Sequence, residues 1–452
     1  MGLDDEDLTE LLDEFLLVEI FRNLSWRDLP TLALVCRRWC YVAQDPLLQG
    51  LLEDTRRIRP VCKLTFDRYI YCLSQWDGLL VAGGGDNHAH LWSAALCPSS
   101  VQKQLEELQK TKERCVARCV FASGFRFKLE ASLNCQGSVD AITVWQGDLV
   151  TGCRDGNIQV WSKSQNENGI DVADESEPQV QISLKETLQH TVEFGPRNHV
   201  KDVKALTVWP GYRGPGSVEE TYLVSNSANG SILLWSRSNK AEKGKDRQAH
   251  IVHSIELPDE QAIYSFAVWN DTLFVGCSGA IFAVDPSGSV AVFRQGTNVV
   301  RCLSVGVDNK YLFSTGYSQD ICRYPWFSPF EEKEEEMTQE KDFRWRAHSG
   351  AMFSVQPWSQ KGYLFSIGHD MMLKVWTTNG ELVQTEAVQK GQMFGLVRWD
   401  WVPSQAPKEA THQVNPNLDT EGNPPPTMSS FAGPAFICTG GFDQEVSILG
   451  FW

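Results

Sequence analysis

A repeated strand unit limits what this chain can fold into more tightly than any other feature. VDAITVWQGDLVTGCRDGNIQVW at 139–161 and MFSVQPWSQKGYLFSIGHDMMLKVW at 352–376 share one layout. Each has an alternating strand, a short turn, a second strand ending near Gly, a polar turn, and a third strand closing on Trp. Further copies close at Trp92 and Trp235. Degenerate copies run through Val268–Asp285, Arg301–Tyr324 and Met393–Phe451, with Val284/Asp285, Tyr324 and Leu449 near the Trp position, making seven in all. The chain holds 16 Trp and 35 Gly, an unusual pair of counts, and many of them recur in register with the repeat. Self-similarity of this kind outranks the reading of single elements. Short, evenly spaced strands with Gly turns and recurrent Trp predict a mainly β, seven-bladed propeller.

The last copy ends just after its third strand, so its blade is one strand short. Val61–Phe66 precedes the first copy, alternates apolar with polar residues, and has strand length. The expectation is that it completes the final blade, removing an open edge and closing the ring.

The repeats resemble WD repeats over about residues 61 to 452. That resemblance implies a hydrogen-bonded set bracing each blade. His348, Ser366, Asp370 and Trp376 match it in the sixth copy; His199, Ser225, Asn229 and Trp235 match it in the third. The second copy keeps Thr151, Asp155 and Trp161 without the His. A His drawn to an Asp suggests catalysis or metal binding. These members recur with blade position, however, so their expected role is structural: each buried polar group supplies another with a partner.

Ahead of the repeats, LDEFLLVEIFRNLSWRDLPTLALVCRRW at 12–39 reads as two short helices joined at a turn. Leu16, Ile20 and Leu24 form a stripe with Leu17 and Phe21 beside it; Leu29, Leu32, Cys36 and Trp39 form a second. A hairpin this small cannot bury its own apolar face and needs something to pack on. Stripes alone would suit a hairpin packed on the main domain. The V-C-R-R-W ending and its spacing favour another reading, because the run resembles the F-box. Leu12, Leu16, Leu17, Ile20, Phe21, Leu24, Asp28, Leu29, Val35, Cys36 and Trp39 fall on its pattern positions, while Asp13 and Phe15 depart from it. The resemblance implies that the apolar residues of this set dock on a Skp-type adaptor, and through it on a cullin-RING ubiquitin ligase. The expected organisation is a small α-helical F-box with a short helical linker over 1–59, then the propeller over 60–452.

Composition closes off other classes. The formal charge of −16 disfavours broad nucleic-acid binding, which needs basic surface to neutralise phosphates. The acidic start lacks a signal-sequence pattern, and no apolar run is long enough to span a bilayer. The 13 dispersed Cys fit buried free thiols in a reducing compartment, cytoplasmic or nuclear, and lack paired metal-ligand spacing. No cofactor is expected. Walker-type phosphate loops, HExxH and G-x-S-x-G are all absent from the sequence, so an intrinsic enzyme is not expected.

Function should therefore lie in binding. In a WD propeller the residues entering each first strand and leaving each second strand surround the channel mouth on the top face. The entering set reads Tyr71, Asp140, Lys204, Tyr264, Arg301, Phe353 and Phe394; the leaving set includes Gly85, Arg154, Ser278, His369 and Phe442. Arg154 and Arg301 resemble the places where substrate-binding F-box/WD proteins set arginines against phosphorylated degrons. Asp140 and the many aromatic residues depart from a phosphate-reading ring. Tyr71, Arg154, Lys204, Tyr264, Arg301, Phe353, His369 and Phe394 are the expected target-binding residues. The resulting expectation is a substrate receptor of an SCF-type ubiquitin ligase; the alternative is a WD scaffold with no ubiquitin role. Long insertions at 98–114, 163–179, 237–249, 331–341 and 403–430 are expected to sit on the opposite, bottom face.

Overall fold

A computed structural model describes residues 58–96, 125–164, 181–189, 202–213, 221–226, 230–237, 249–258, 261–330, 341–358, 362–400 and 435–450. The adaptor-docking residues expected between Leu12 and Trp39, together with His199 and Asn229, lie outside the described residues.

Twenty-eight described strands form seven four-stranded antiparallel sheets. The innermost strands are Ile70–Trp76, Val139–Trp145, Leu206–Trp209, Ile263–Trp269, Val300–Val305, Met352–Trp358 and Met393–Asp400. Each packs on the innermost strand of the next blade, and the last packs on the first, so the ring is closed. The second strands Leu79–Gly84, Asp148–Cys153 and Thr272–Cys277 are buried at every residue, because a blade lies against each of their faces. Outer strands such as Gln181–Gln189 are largely exposed.

Glycine near the end of the second strand sets the spacing between blades. A Cβ on Gly83 would fall 2.7 Å from Val139, and one on Gly152 would fall 2.6 Å from Val203. Gly276 and Gly440 stand in the same relation to Val300 and Ile70, at 2.8 and 2.7 Å. Each of these apolar residues occupies the corresponding place in the following blade. The repeated Gly is thus a seat for the neighbour's side chain.

A second repeated contact fastens the bottom face. Trp76, Trp145, Trp209, Trp269 and Trp399 lie at or near the end of their innermost strands and are buried to 1% exposure or less. Each indole N–H donates to a backbone carbonyl of the next blade: Gly147, Thr221, Asp271, Asn309 and Gly78, at 2.7–3.0 Å. The large apolar ring is buried and its one donor is satisfied, the condition under which a buried Trp is stabilising.

The expected closure strand is present. Arg59–Thr65 pairs antiparallel with Glu445–Gly450 as the outer strand of the seventh blade, with Cys62 opposite Ile448 and Leu64 opposite Val446. It begins two residues earlier than Val61, and the register shifts between Pro60 and Cys62. An outer edge tolerates Pro60, whose nitrogen cannot donate to a ladder.

The strands flanking 97–124, 165–180, 238–248 and 331–340 are third and fourth strands of their blades; those flanking 401–434 are first and second. Their facing ends lie on the bottom, opposite the ends where innermost strands begin.

Candidate functional site

The top-face rim is built by one recurring irregularity. In six blades the innermost strand carries a β-bulge at its second residue, and the residue skipped by the ladder is Tyr71, Asp140, Tyr264, Arg301, Phe353 or Phe394. A bulge breaks the strict alternation of side chains and re-aims one of them. In the third blade the ladder starts later, at Leu206, and the amide oxygen of Asn226 accepts from the backbone N–H groups of Lys204 and Ala205 instead. Six of the seven entering residues are therefore bulge residues, and the seventh is held by a side-chain substitute for the ladder.

These residues form a belt around the channel mouth. Arg154 stacks 4.8 Å from the Tyr71 ring, and Lys204 lies 5.6 Å from Tyr264. Arg301 sits between two rings, 5.2 Å from Tyr264 and 5.8 Å from Phe353. Phe353 meets Phe394 at 4.7 Å, and Phe394 meets Tyr71 at 6.1 Å. Cations over aromatic faces are held by the ring quadrupole without losing their charge to a counter-ion.

Charge is unevenly available along the belt. Arg154 donates two hydrogen bonds to the Asp140 carboxylate, at 3.1 and 3.0 Å. Burial raises the Asp140 pKa, with Arg154 pulling the other way; the Asp140 hydrogen bond raises that of Arg154. Lys204 has Asp202 at 3.7 Å. Arg301 has no hydrogen bond or ion pair among the described residues, only its two rings. Of the three cationic residues expected to bind the target, Arg301 keeps the freest charge.

His369, exposed on the rim, is hydrogen-bonded to Gln392 rather than to a carboxylate. Two further rim residues were not foreseen. The Tyr317 N–H donates to the Val299 carbonyl, as those of Gly85, Arg154, His369 and Phe442 donate to Tyr69, Ser138, Ala351 and Gln392. Tyr317 is thus the fifth blade's leaving residue, and it is 56% exposed. Tyr69 meets Phe442 at 4.6 Å, and Phe442 meets Phe394 at 4.6 Å, which widens the aromatic sector. Alignment of the second strands at their hydroxyl residue would have found Tyr317, since it lies three after Ser314 as Arg154 lies three after Thr151 and His369 three after Ser366.

The sixth blade contains the bracing set read from the sequence. Asp370 bonds His348 Nδ1 at 2.6 Å, His348 Nε2 meets Ser366 Oγ at 2.7 Å, and Trp376 Nε1 donates to the same Oγ at 2.9 Å. Burial lowers the His348 pKa against the pull of Asp370. Burial acts to raise that of Asp370, but His348, the Ser349 amide and Lys374 outweigh it and hold the carboxyl below its ordinary value. Trp235 donates to Ser225 at 2.9 Å and Trp161 to Thr151 at 3.1 Å. In the second blade Cys135 takes the His place, 3.7 Å from the Thr151 hydroxyl, and Asp155 accepts from the Asn157 backbone N–H. The His–Asp–Ser chain ends on an indole, not in an open cleft, and its protons are committed to the fold. The eight described cysteines are free thiols, and among the described residues no cluster of His, Cys, Asp and Glu is placed to hold a metal. No helix among them is long and apolar enough to cross a membrane.

A family model described as F-box-like matches residues 14–49. No curated protein matches the chain. An F-box-like segment therefore precedes a seven-bladed β-propeller.

Proposed function

We propose that this chain is the substrate-recognition subunit of an SCF-type ubiquitin ligase. The F-box-like segment docks on a Skp-type adaptor and, through it, on a cullin-RING ligase. The propeller, read as a WD-repeat ring, holds the target on its top face. The observation that carries this reading is the F-box-like match at 14–49, directly ahead of a propeller with a cation–aromatic belt on its rim. The chain itself is a non-catalytic subunit: it contributes proximity and orientation, and the transfer chemistry belongs to other subunits.

The belt favours a polypeptide target that combines apolar side chains with one anionic group. Tyr and Phe offer contact area at small entropic cost, and Arg301 offers a planar fork for a carboxylate or phosphate. Adaptor docking is tested by a Leu16→Ala, Ile20→Ala double variant. Each truncation costs about 2–5 kcal/mol at a packed site, so co-precipitation with the adaptor should be lost while the propeller stays folded. Undiminished co-precipitation would remove the ligase reading and leave an interaction scaffold.

A further inference from the structure

The fifth blade has a vacancy where other blades place a side chain. The residue four before the innermost strand is Phe66, Cys135, His348 and Gln389 in blades one, two, six and seven. Phe66 packs edge-on against His90 and Trp92, Cys135 meets Thr151, His348 meets Ser366, and Gln389 donates to the Thr439 and Glu445 carbonyls. In the fifth blade this residue is Gly296, with φ +73°, and a Cβ built on it meets nothing within 4 Å. A cavity of about 380 Å³ opens there, lined by Gly296, Thr297, Ser314, Asp320, Tyr324 and Arg344 among others. Its volume is in the range of ligand sites.

The remaining lining is polar and partly unpartnered. The Thr297 hydroxyl is buried with no hydrogen-bond partner among the described residues. Ser314, the counterpart of Ser366, meets the Tyr324 hydroxyl at 3.2 Å and the Cys322 thiol, instead of a His and an indole. The Asp320 carboxylate and the Arg344 guanidinium have no hydrogen bond or ion pair within the described residues and offer an acceptor and a donor. An occupant must therefore both give and take hydrogen bonds. The same molecule fills the place with a phenyl ring in blade one, where Ala82 stands in for the hydroxyl, with a thiol in blade two, with an imidazole in the sixth and with a carboxamide in the seventh. Against the polar lining of blade five, the last two are the groups that both give and take strong hydrogen bonds.

We infer that the fifth-blade slot is a side-chain pocket for a bound polypeptide, taking from the partner the imidazole or carboxamide that blades six and seven supply themselves. The polypeptide source follows from position: Val300 lines the cavity, and Arg301, the next residue, stands on the rim. This rests on the top-face reading of the target site, and sharpens it to a His, Gln or Asn placed beside an anionic group.

The test uses the full chain and N-acetylhistidine methylamide, N-acetylglutamine methylamide, the phenylalanine counterpart and free imidazole, followed by ligand-observed NMR. The His and Gln probes should bind with dissociation constants on the order of millimolar, as befits ligands this small, and the Phe probe should not. Gly296→Asn places a carboxamide in the slot from a residue type that accepts positive φ, and it should abolish probe binding. If Gly296→Asn does not fold, Thr297→Val removes the unpartnered hydroxyl at constant shape and should weaken the probes several-fold. Equal binding of the Phe probe, binding unaltered by both variants, or no binding by any probe would overturn the assignment. Binding of imidazole without the blocked amino acids would overturn its polypeptide source. Arg301→Ala should leave these single-residue probes unaffected. Failure of the rim reading is thus separable: it would show as target capture indifferent to Arg301→Ala and Tyr264→Ala, while the probes still bind.

Discussion

The two faces of the propeller treat repetition in opposite ways. On the bottom, one residue type recurs: five innermost strands carry a fully buried Trp whose N–H reaches the next blade. On the top, one backbone device recurs, the bulge at the second residue, while the side chain it aims changes from Tyr to Asp to Arg to Phe. A contact that joins blades has one good solution here, and five of the seven blades adopt it. A surface that meets an external partner has no such solution, and each blade contributes a different group. The constant backbone with a variable side chain is the pattern that the proposed target-binding face requires.

The largest effect that could break this contrast is on stability. Trp399→Ala removes a side chain buried to 0% exposure and the bond that joins blade seven to Gly78 of blade one. It should cost about 3–5 kcal/mol, read from denaturant midpoints. Phe394→Ala, half-buried on the rim, should cost far less while reducing target capture. Equal destabilisation would mean that the rim aromatics are core and the contrast is false.

Next comes the charge pattern of the rim. Arg301→Ala should weaken capture of an anionic target by roughly ten- to a hundredfold, as expected for one hydrogen bond to a charged group. Arg154→Ala should matter less, because Asp140 already takes both of its bonds. Asp140→Asn should then strengthen capture by releasing Arg154. Titration with phosphorylated and dephosphorylated target measures all three. A larger loss from Arg154 than from Arg301 would refute the ordering.

The bracing set makes a smaller, pH-dependent claim. Burial lowers the His348 pKa in the fold and so favours its neutral form, whereas an unfolded His protonates near its ordinary 6.5. Its contribution is complete above that value and is lost as pH falls toward the depressed folded pKa. Asp370 acts in the same direction at lower pH: its contribution is present above 3.8 and lost below, as the carboxylate that His348 holds must be protonated. The urea midpoint should fall on acidification from pH 7.5 to 5, and His348→Gln, which copies Gln389, should flatten that slope. A slope unchanged by the variant would place the sensitivity elsewhere.

The smallest effect concerns blade one. Ala82 stands where the sixth blade has Ser366, and the buried Trp92 indole N–H has no partner among the described residues. Ala82→Ser should supply the missing acceptor and raise stability by about 0.5–1.5 kcal/mol.

Much of this was legible because a repeat reports itself many times. The seven blades and the closing strand followed from spacing and alternation, which backbone geometry dictates locally; the entering residues and the sixth-blade set followed from the resemblance to WD repeats. The Arg154–Asp140 pairing did not, since sequence places both on the rim without telling which carboxylate an arginine will reach. The bottom-face tryptophans were in view at the ends of TVW, AVW and VRW. Their purpose was hidden because their partners are backbone carbonyls, which any residue provides. The fifth-blade vacancy was hidden for the opposite reason: a glycine one turn from a strand reads as ordinary punctuation, and only packing shows that nothing replaces it.

The closing strand has a consequence in time. Lys63 and Glu445 meet at 2.6 Å across a sequence separation of 382 residues. At about 5–20 residues per second, a ribosome takes roughly 20 to 80 seconds between making one and the other. Throughout that interval the strand at 59–65 has no sheet to join, and the unfinished ring has an open edge at each side of the gap. Open edges of this kind are where wrong pairing with another chain can begin, so the long closing separation sets how long the chain is exposed to it.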